Sequence, residues 1–369
     1  MFEIGVITFG EVTTDPVTGV LPTARQRVKE TIEQAKVADE VGLDVFGIGE
    51  HHRSDFVAST PAILLAGAAT ATKNIRLTSS VSVLSTSDPV RVYEEFATLD
   101  LLSGGRAEVI AGRGSYTESF PLFGYSLEEY DELYEEKVGL LLKIRDENPV
   151  TWSGRMRAPL EAADVAPRAL QEKMPIWRAV GGSPASAVRA GRARMPLMLA
   201  FIVGPLAAFQ RLAGYYLQAA DEAGMPAAET RIGAAVHGFV GATSQDARDT
   251  MFPYFSRGMN ENNHQRGVGF DLPRAAFEAQ ATPGGMPVVG SPQEVIDKIM
   301  TYHEVYGIDR ILLQMGFGGV PQRDHLRAIE LLGTEVAPVV RRELGGADTG
   351  GDGEAADASS SADATRINA

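Results

Sequence analysis

Val45-Phe46-Gly47-Ile48-Gly49 runs directly into Glu50-His51-His52. The apolar run reads as a buried strand, so a carboxylate and two imidazoles stand at its C-terminal tip. Burying three ionisable groups there without a use is costly. Imidazole is the side chain most readily tuned to exchange protons near neutral pH. In a chain of alternating strands and helices, such a tip is where a (β/α)8 barrel assembles its active site.

Working outward, apolar runs rich in Val and Ile recur between amphipathic segments. They lie at residues 4–9, 45–49, 75–83, 106–111, 175–180, 197–202, 231–240 and 310–315. That makes eight candidate strands in strict alternation with helices. Thr23 opens a helix that Gly42 closes, and Pro61 and Pro89 occupy tolerated first-turn positions of two more. After the first strand comes Gly10-Glu11-Val12-Thr13-Thr14-Asp15, which lacks the G-x-G-x-x-G turn of an open dinucleotide-binding sheet. The expected fold is therefore an α/β (β/α)8 TIM barrel with insertions over residues 1–344.

Two stretches break the alternation. Residues 148–172 contain Pro149, Pro159 and Pro167 and are expected to cover one barrel mouth; residues 254–287 are expected to form a lid. Residues 345–369 form an acidic tail rich in Gly, Ser and Ala that cannot bury a core and is expected to be disordered.

Composition narrows the function. The 369 residues carry a formal net charge of -14 and 44% hydrophobic residues, and no cysteine. Thiolate catalysis, disulfides and zinc–thiolate sites are excluded. No basic patch suits nucleic acid, no apolar stretch is long enough for a membrane span, and no basic leader precedes the first strand. A cytoplasmic enzyme is the expectation.

Three further strand tips converge on the same mouth. Thr78-Ser79-Ser80 interrupts the third strand with small polar residues, which lets a flat ligand approach the backbone. Ala111-Gly112-Arg113-Gly114-Ser115 follows the fourth strand; the planar fork of Arg113 matches phosphate oxygens, or else it pairs with Glu108 or Glu118. Val180-Gly181-Gly182-Ser183-Pro184 precedes a helix whose N-terminus favours negative charge. Together these read as a site for a phosphorylated, largely flat ligand, with Arg113 and Gly181–Ser183 on the phosphate and a proton-transfer pair near the other end.

Several motifs in order resemble the bacterial luciferase-like flavin-dependent oxidoreductases. They are Gly42-Leu43-Asp44 through His52, Ser85-Thr86-Ser87-Asp88-Pro89-Val90-Arg91, Leu99-Asp100-Leu101-Leu102-Ser103-Gly104-Gly105-Arg106 and Ala111-Gly112-Arg113-Gly114. Gly182-Ser183, Met195-Pro196-Leu197-Met198-Leu199, Val289-Gly290-Ser291-Pro292-Gln293-Glu294-Val295 and Tyr306-Gly307-Ile308-Asp309 continue the match. The resemblance implies a barrel that uses reduced FMN from a separate NAD(P)H:flavin reductase, with O2 as co-substrate and a small organic substrate. It places His51 near the reacting flavin, and Arg113, Gly182, Ser183 and Ser186 at the phosphate. Ser79-Ser80 falls at a non-prolyl cis peptide beneath the ring. Phe201 would pack against that ring or serve the core. The resemblance further implies a homo-oligomer. F420-dependent hydride transfer and flavin binding without turnover belong to the same superfamily. Where the light-emitting subunit of luciferase has cysteine, this chain has Gly112, which argues against light emission.

The reading is an FMN-dependent monooxygenase in which His51 manages a proton and Glu50 orients or charge-balances it. His237 ends the seventh strand and is a candidate for the site wall; His264 falls in the lid, and His303 and His325 lie on amphipathic helices. A metal site from His51, His52 and Asp55 is disfavoured because neighbouring strand residues face opposite ways.

Overall fold

Strands buried on both faces need helices outside and packed side chains inside, and parallel pairing supplies both. The computed structural model describes residues 2–114, 116–202, 206–265 and 272–345. It contains β1 (Glu3–Thr8), β2 (Val45–Ile48), β3 (Arg76–Ser79), β4 (Ala107–Gly112), β5 (Ile176–Val180), β6 (Leu197–Phe201), β7 (Ile232–Val240) and β8 (Arg310–Gln314). Each pairs in parallel with the next, and β8 returns to β1 with Gly5 opposite Leu312, closing an eight-stranded barrel. All eight expected strands are present.

The helices begin where their caps direct. The Thr23 hydroxyl accepts from Gln26 N at the start of Ala24–Glu40, and Gly42 takes φ 75° just beyond it. Asp88 accepts from Val90 N and Arg91 N ahead of Pro89–Ser103, which Gly104 ends in the left-handed conformation.

Inside, Ile7, Val45, Ile110, Trp177, Met198, Ala235 and Leu312 form one packed layer. Nearer the N-terminal end, β1, β4 and β8 carry Glu3, Glu108 and Arg310, four residues before Ile7 and two before Ile110 and Leu312. Arg310 is fully buried, 2.6 Å from Glu108 Oε2 and 2.7 Å from Glu3 Oε2, with its guanidinium 4.3 Å from the Trp177 ring. These ion pairs plug the N-terminal end of the barrel interior, and the cavity described below opens at the other.

Residues 148–172 do not cover the site. They include an antiparallel hairpin (Val150–Trp152 with Leu160–Ala163), and Gln171 ties the segment to Asp100 and to Ala107 O at the start of β4. None of its residues lines the cavity described below. Two helices enter the expected lid: Ser244–Gln265, which runs past Pro253 into it, and Arg274–Gln280. Residues 266–271, the tail beyond 345, and the side chain of His264 lie outside the described residues. Among the described residues no helix is long and apolar enough to cross a membrane.

Candidate active site

Strand alternation fixes what the open end presents. Two residues above the packed layer, the strands turn inward again at Gly112, Ala179, Ala200, His237 and Gln314, and all five line a cavity of about 690 Å³. The β3–β6 side is carpeted by small residues, since Ser80, Gly181 and Gly182 join Gly112, Ala179 and Ala200. A Cβ on Gly112 would stand 2.6 Å from Val81 Cγ2, whereas one on Gly181 or Gly182 would meet nothing within 4 Å. The first glycine makes room for the Val81 side chain. The other two leave open room at the mouth of β5.

Glu50 acts as a bridge. Its Oε2 accepts from Val83 N at 2.8 Å and its Oε1 lies 2.8 Å from His52 Nε2. Glu50 is expected to orient or charge-balance His51; residues two apart at a strand tip share a side, so its hydrogen bond goes to His52 and the orienting contact of His51 comes from elsewhere. The partner of His51 is Glu118, with Oε1 3.0 Å from Nδ1. Burial works to raise the Glu118 carboxyl, but hydrogen bonding and charge from His51 prevail and hold it below its usual range. Phe9 and Phe56 flank the imidazole at centroid distances of 4.9 and 4.5 Å, and the Tyr116 ring meets it edge-on at 4.8 Å. One nitrogen is tethered and the ring plane is fixed, which leaves Nε2 for the cavity. Neither spacing nor periodicity singles out Glu118 as this partner; it surfaced in the sequence only as a possible mate for Arg113.

The two serines divide. Ser80 lines the cavity and begins the non-prolyl cis bond, Ser80–Val81, one residue beyond the expected Ser79-Ser80 pair. Ser79 is not a cavity residue. Its hydroxyl accepts from Ile110 N and donates to Ile110 O, both at 3.2 Å, and it is fully buried between β3 and β4. Arg113 lines the cavity, pairs with Asp131 rather than Glu108 or Glu118, and lies 5.2 Å from the Tyr130 ring. Ser115 lies outside the described residues.

At β5, Gly181 and Gly182 reach the cavity while Ser183 and Ser186 do not line it. The Ser183 hydroxyl is engaged as the N-cap of Pro184–Arg192, accepting from Ser186 N at 3.3 Å. Ser186 Oγ is buried and has no partner among the described residues. Phe201 is a core aromatic: it faces outward onto Phe209, Tyr302 and Tyr306, and its neighbours Ala200 and Ile202 line the cavity instead. From the expected lid, Gly258, Met259 and Glu261 reach the mouth.

Three buried titratable groups lie apart from the expected catalytic and phosphate-binding residues: Glu11, His237 and His325. Burial pushes Glu11 up to about 7, although Gln314 donates to it at 3.2 Å. Burial pushes His237 down to about 4 and, with Arg27 nearby, His325 down to about 3. The signs give a prediction. Between pH 6.5 and 4.5 the unfolded chain takes up two protons that native His237 and His325 refuse, while native Glu11 holds one that the unfolded chain releases. Stability therefore falls by only about 1.4 kcal/mol per pH unit in that window. Below 4.5 the Glu11 contribution is fully present and no longer offsets the histidines. Glu3, which Arg310 and Arg231 hold near 2 against the opposing effect of burial, joins the loss. Urea midpoints should decline gently from pH 6.5 to 4.5 and steeply beneath it; a midpoint that climbs on acidification contradicts the buried neutral histidines.

A family model described as luciferase-like monooxygenase matches residues 2–308. An uncharacterised protein of Sinorhizobium fredii, y4vJ, is 27% identical over 335 residues, covering 86% of this chain and 93% of that protein. The oxygenating constituent of 3,6-diketocamphane monooxygenase from Pseudomonas putida, solved with FMN, superposes with TM-score 0.73 at 22% identity, covering 92% of this chain and 98% of its own. An F420-dependent secondary alcohol dehydrogenase solved with an F420–acetone adduct superposes with TM-score 0.69 at 19% identity, covering 92% and 99%. At these identities the two structures show the shared fold, and between them the fold holds either FMN or F420.

Proposed function

The chain belongs to the luciferase-like monooxygenase family, and from that premise we propose that it is an FMN-dependent monooxygenase acting on a small organic substrate with O2. The observation that carries this reading is the division of the cavity. Small residues on β3–β6 leave a flat floor, Arg113 stands at its edge, and an imidazole with one tethered nitrogen faces it from β2.

The residues present fit a flavin mononucleotide. Ser80, Gly112, Ala179 and Ala200 leave space for a planar ring, which a Cβ on Gly112 would disturb through Val81. The phosphate is assigned to Arg113, the backbone of Gly181 and Gly182, and the start of Pro184–Arg192, where Ser186 Oγ lacks a partner among the described residues. Reduced flavin supplies two electrons and activates dioxygen. The protein's share is to hold the ring, exclude water with the apolar wall of Phe9, Val81, Met198 and Phe317, and move a proton at His51 Nε2. Glu118 keeps that imidazole in place. Because the diketocamphane protein is one constituent of its enzyme, a separate flavin reductase is the assigned electron source.

Titration of the full chain with oxidised FMN, reduced FMN under anaerobic conditions, and F420 tests the cofactor. Selective FMN binding is expected; selective F420 binding would move the site to hydride transfer. Arg113→Ala should weaken FMN binding by about 10- to 150-fold, because a hydrogen bond to a charged group contributes roughly 1.5–3 kcal/mol. Unchanged affinity would leave Arg113 as only the partner of Asp131.

A further inference from the structure

The wall facing the small-residue floor has a different character. On β7 and β8, His237 and Gln314 are register neighbours, and Gln314 is also opposite Ile7 of β1. Glu11, just past β1, completes the row by accepting from Gln314 Nε2 at 3.2 Å. All three residues line the cavity and are at least nine-tenths buried. Around them the wall is apolar: Ile7, Ala235, Val236, Met259 and Phe317.

His237 is the unexplained member. Both ring nitrogens are buried with no hydrogen-bond partner among the described residues, and its ring lies against Phe317 (centroids 4.2 Å apart) and edge-on to Phe255. An orphaned buried polar group is costly, so a core position would normally hold an apolar residue instead. The row is also short of fixed charge. Burial keeps His237 neutral and favours the protonated form of Glu11 against the opposing Arg27 charge, and the arginines that line the cavity, Arg53 and Arg113, are paired with Asp55 and Asp131. A protonated carboxyl, a carboxamide and a neutral imidazole offer hydrogen-bond donors and acceptors without net charge.

We propose that Glu11, Gln314 and His237 form a substrate subsite that takes an uncharged carbonyl-bearing group, of amide or ketone type, on an otherwise apolar molecule. Gln314 and Glu11 make the first contact, and His237 stands beside them on the neighbouring strand. The proposal rests on the cofactor reading only for the occupant of the opposite floor, and its test separates the two.

The probes are cyclohexanecarboxamide, cyclohexanecarboxylate and cyclohexylmethylamine, which share one apolar ring and differ in charge. Their binding to the full chain is followed by ligand-observed NMR, with and without saturating FMN, while FMN affinity is measured separately. The carboxamide should bind most tightly. Gln314→Met should weaken it by about 2- to 10-fold, the range for one neutral hydrogen bond, and leave FMN affinity unchanged. Glu11→Gln, which keeps an uncharged group in place, should retain carboxamide binding, and matching thermal melts guard against misfolding. Equal carboxamide affinity in wild type and Gln314→Met overturns the subsite, as does preference for the amine, which would mark Glu11 as an ionised counter-ion. Failure of all three probes to bind overturns it too. Absence of FMN binding in the wild type would instead strike the cofactor reading and leave the carboxamide result standing.

Discussion

His51→Ala is expected to lower kcat by about 10²- to 10⁴-fold, the range for a positioned general acid or base, while FMN affinity stays near the wild-type value. The geometry separates the two quantities. His51 is wedged between Phe9 and Phe56, and its Nδ1 is held 3.0 Å from Glu118, so its one adaptable atom is Nε2. The groups assigned to the phosphate, Arg113 and the β5 turn, sit on other strands. Loss of the imidazole removes proton transfer and leaves binding, which appears as a fall in kcat with little change in cofactor affinity. Glu118→Gln offers an intermediate case: the glutamine keeps a hydrogen bond to the ring but removes the charge, so activity should drop less than in His51→Ala and the pH–rate profile should change. Single-turnover rates with reduced FMN and a turned-over substrate provide the measurement. Full activity in His51→Ala would remove the residue from the chemistry.

The barrel was legible because parallel strands buried on both faces must be written in continuous apolar runs, and eight such runs stand between capped helices. The tips were legible for the opposite reason. Glu50-His51-His52, Ser80, Gly112-Arg113 and Gly181-Gly182 interrupt those runs with residues a core would not choose. What escaped was pairing. Glu118 is 67 residues from His51 in sequence, and nothing local announces their contact. Adjacency in sequence pairs Glu50 with His51, whereas alternation at the strand tip turns it to His52. Ser79 and Ser80 look equivalent as letters, yet one faces Ile110 and the other the cavity, since neighbouring strand residues point opposite ways. The row of Glu11, Gln314 and His237 comes from both ends of the chain and exists only once β8 closes against β1.

That closure underlies the second large effect. Arg310→Met should destabilise the protein by about 3 kcal/mol, toward the lower end of the 3–5 kcal/mol typical when one partner of a buried pair is removed. Methionine fills much of the arginine's volume, so the loss is mainly electrostatic: Glu108 remains in a site from which water is excluded, with the partly buried Glu3 beside it. Two arginines soften it. Arg76 lies 3.1 Å from Glu108, and Arg231 lies 2.6 Å from Glu3, so neither carboxylate is wholly abandoned. Pairing Arg310→Met with Glu108→Gln removes the more deeply buried of the two charges and should restore most of the stability, since a buried ion pair replaced as a unit is often close to neutral. Denaturant midpoints at pH 7 for the two variants test this, and a single-variant loss below about 1 kcal/mol would reduce the plug to an ordinary surface pair. FMN affinity should hold in both. The Ile7, Ile110, Trp177 and Leu312 layer separates the plug from the cavity, so the same strands carry stability at one end and chemistry at the other.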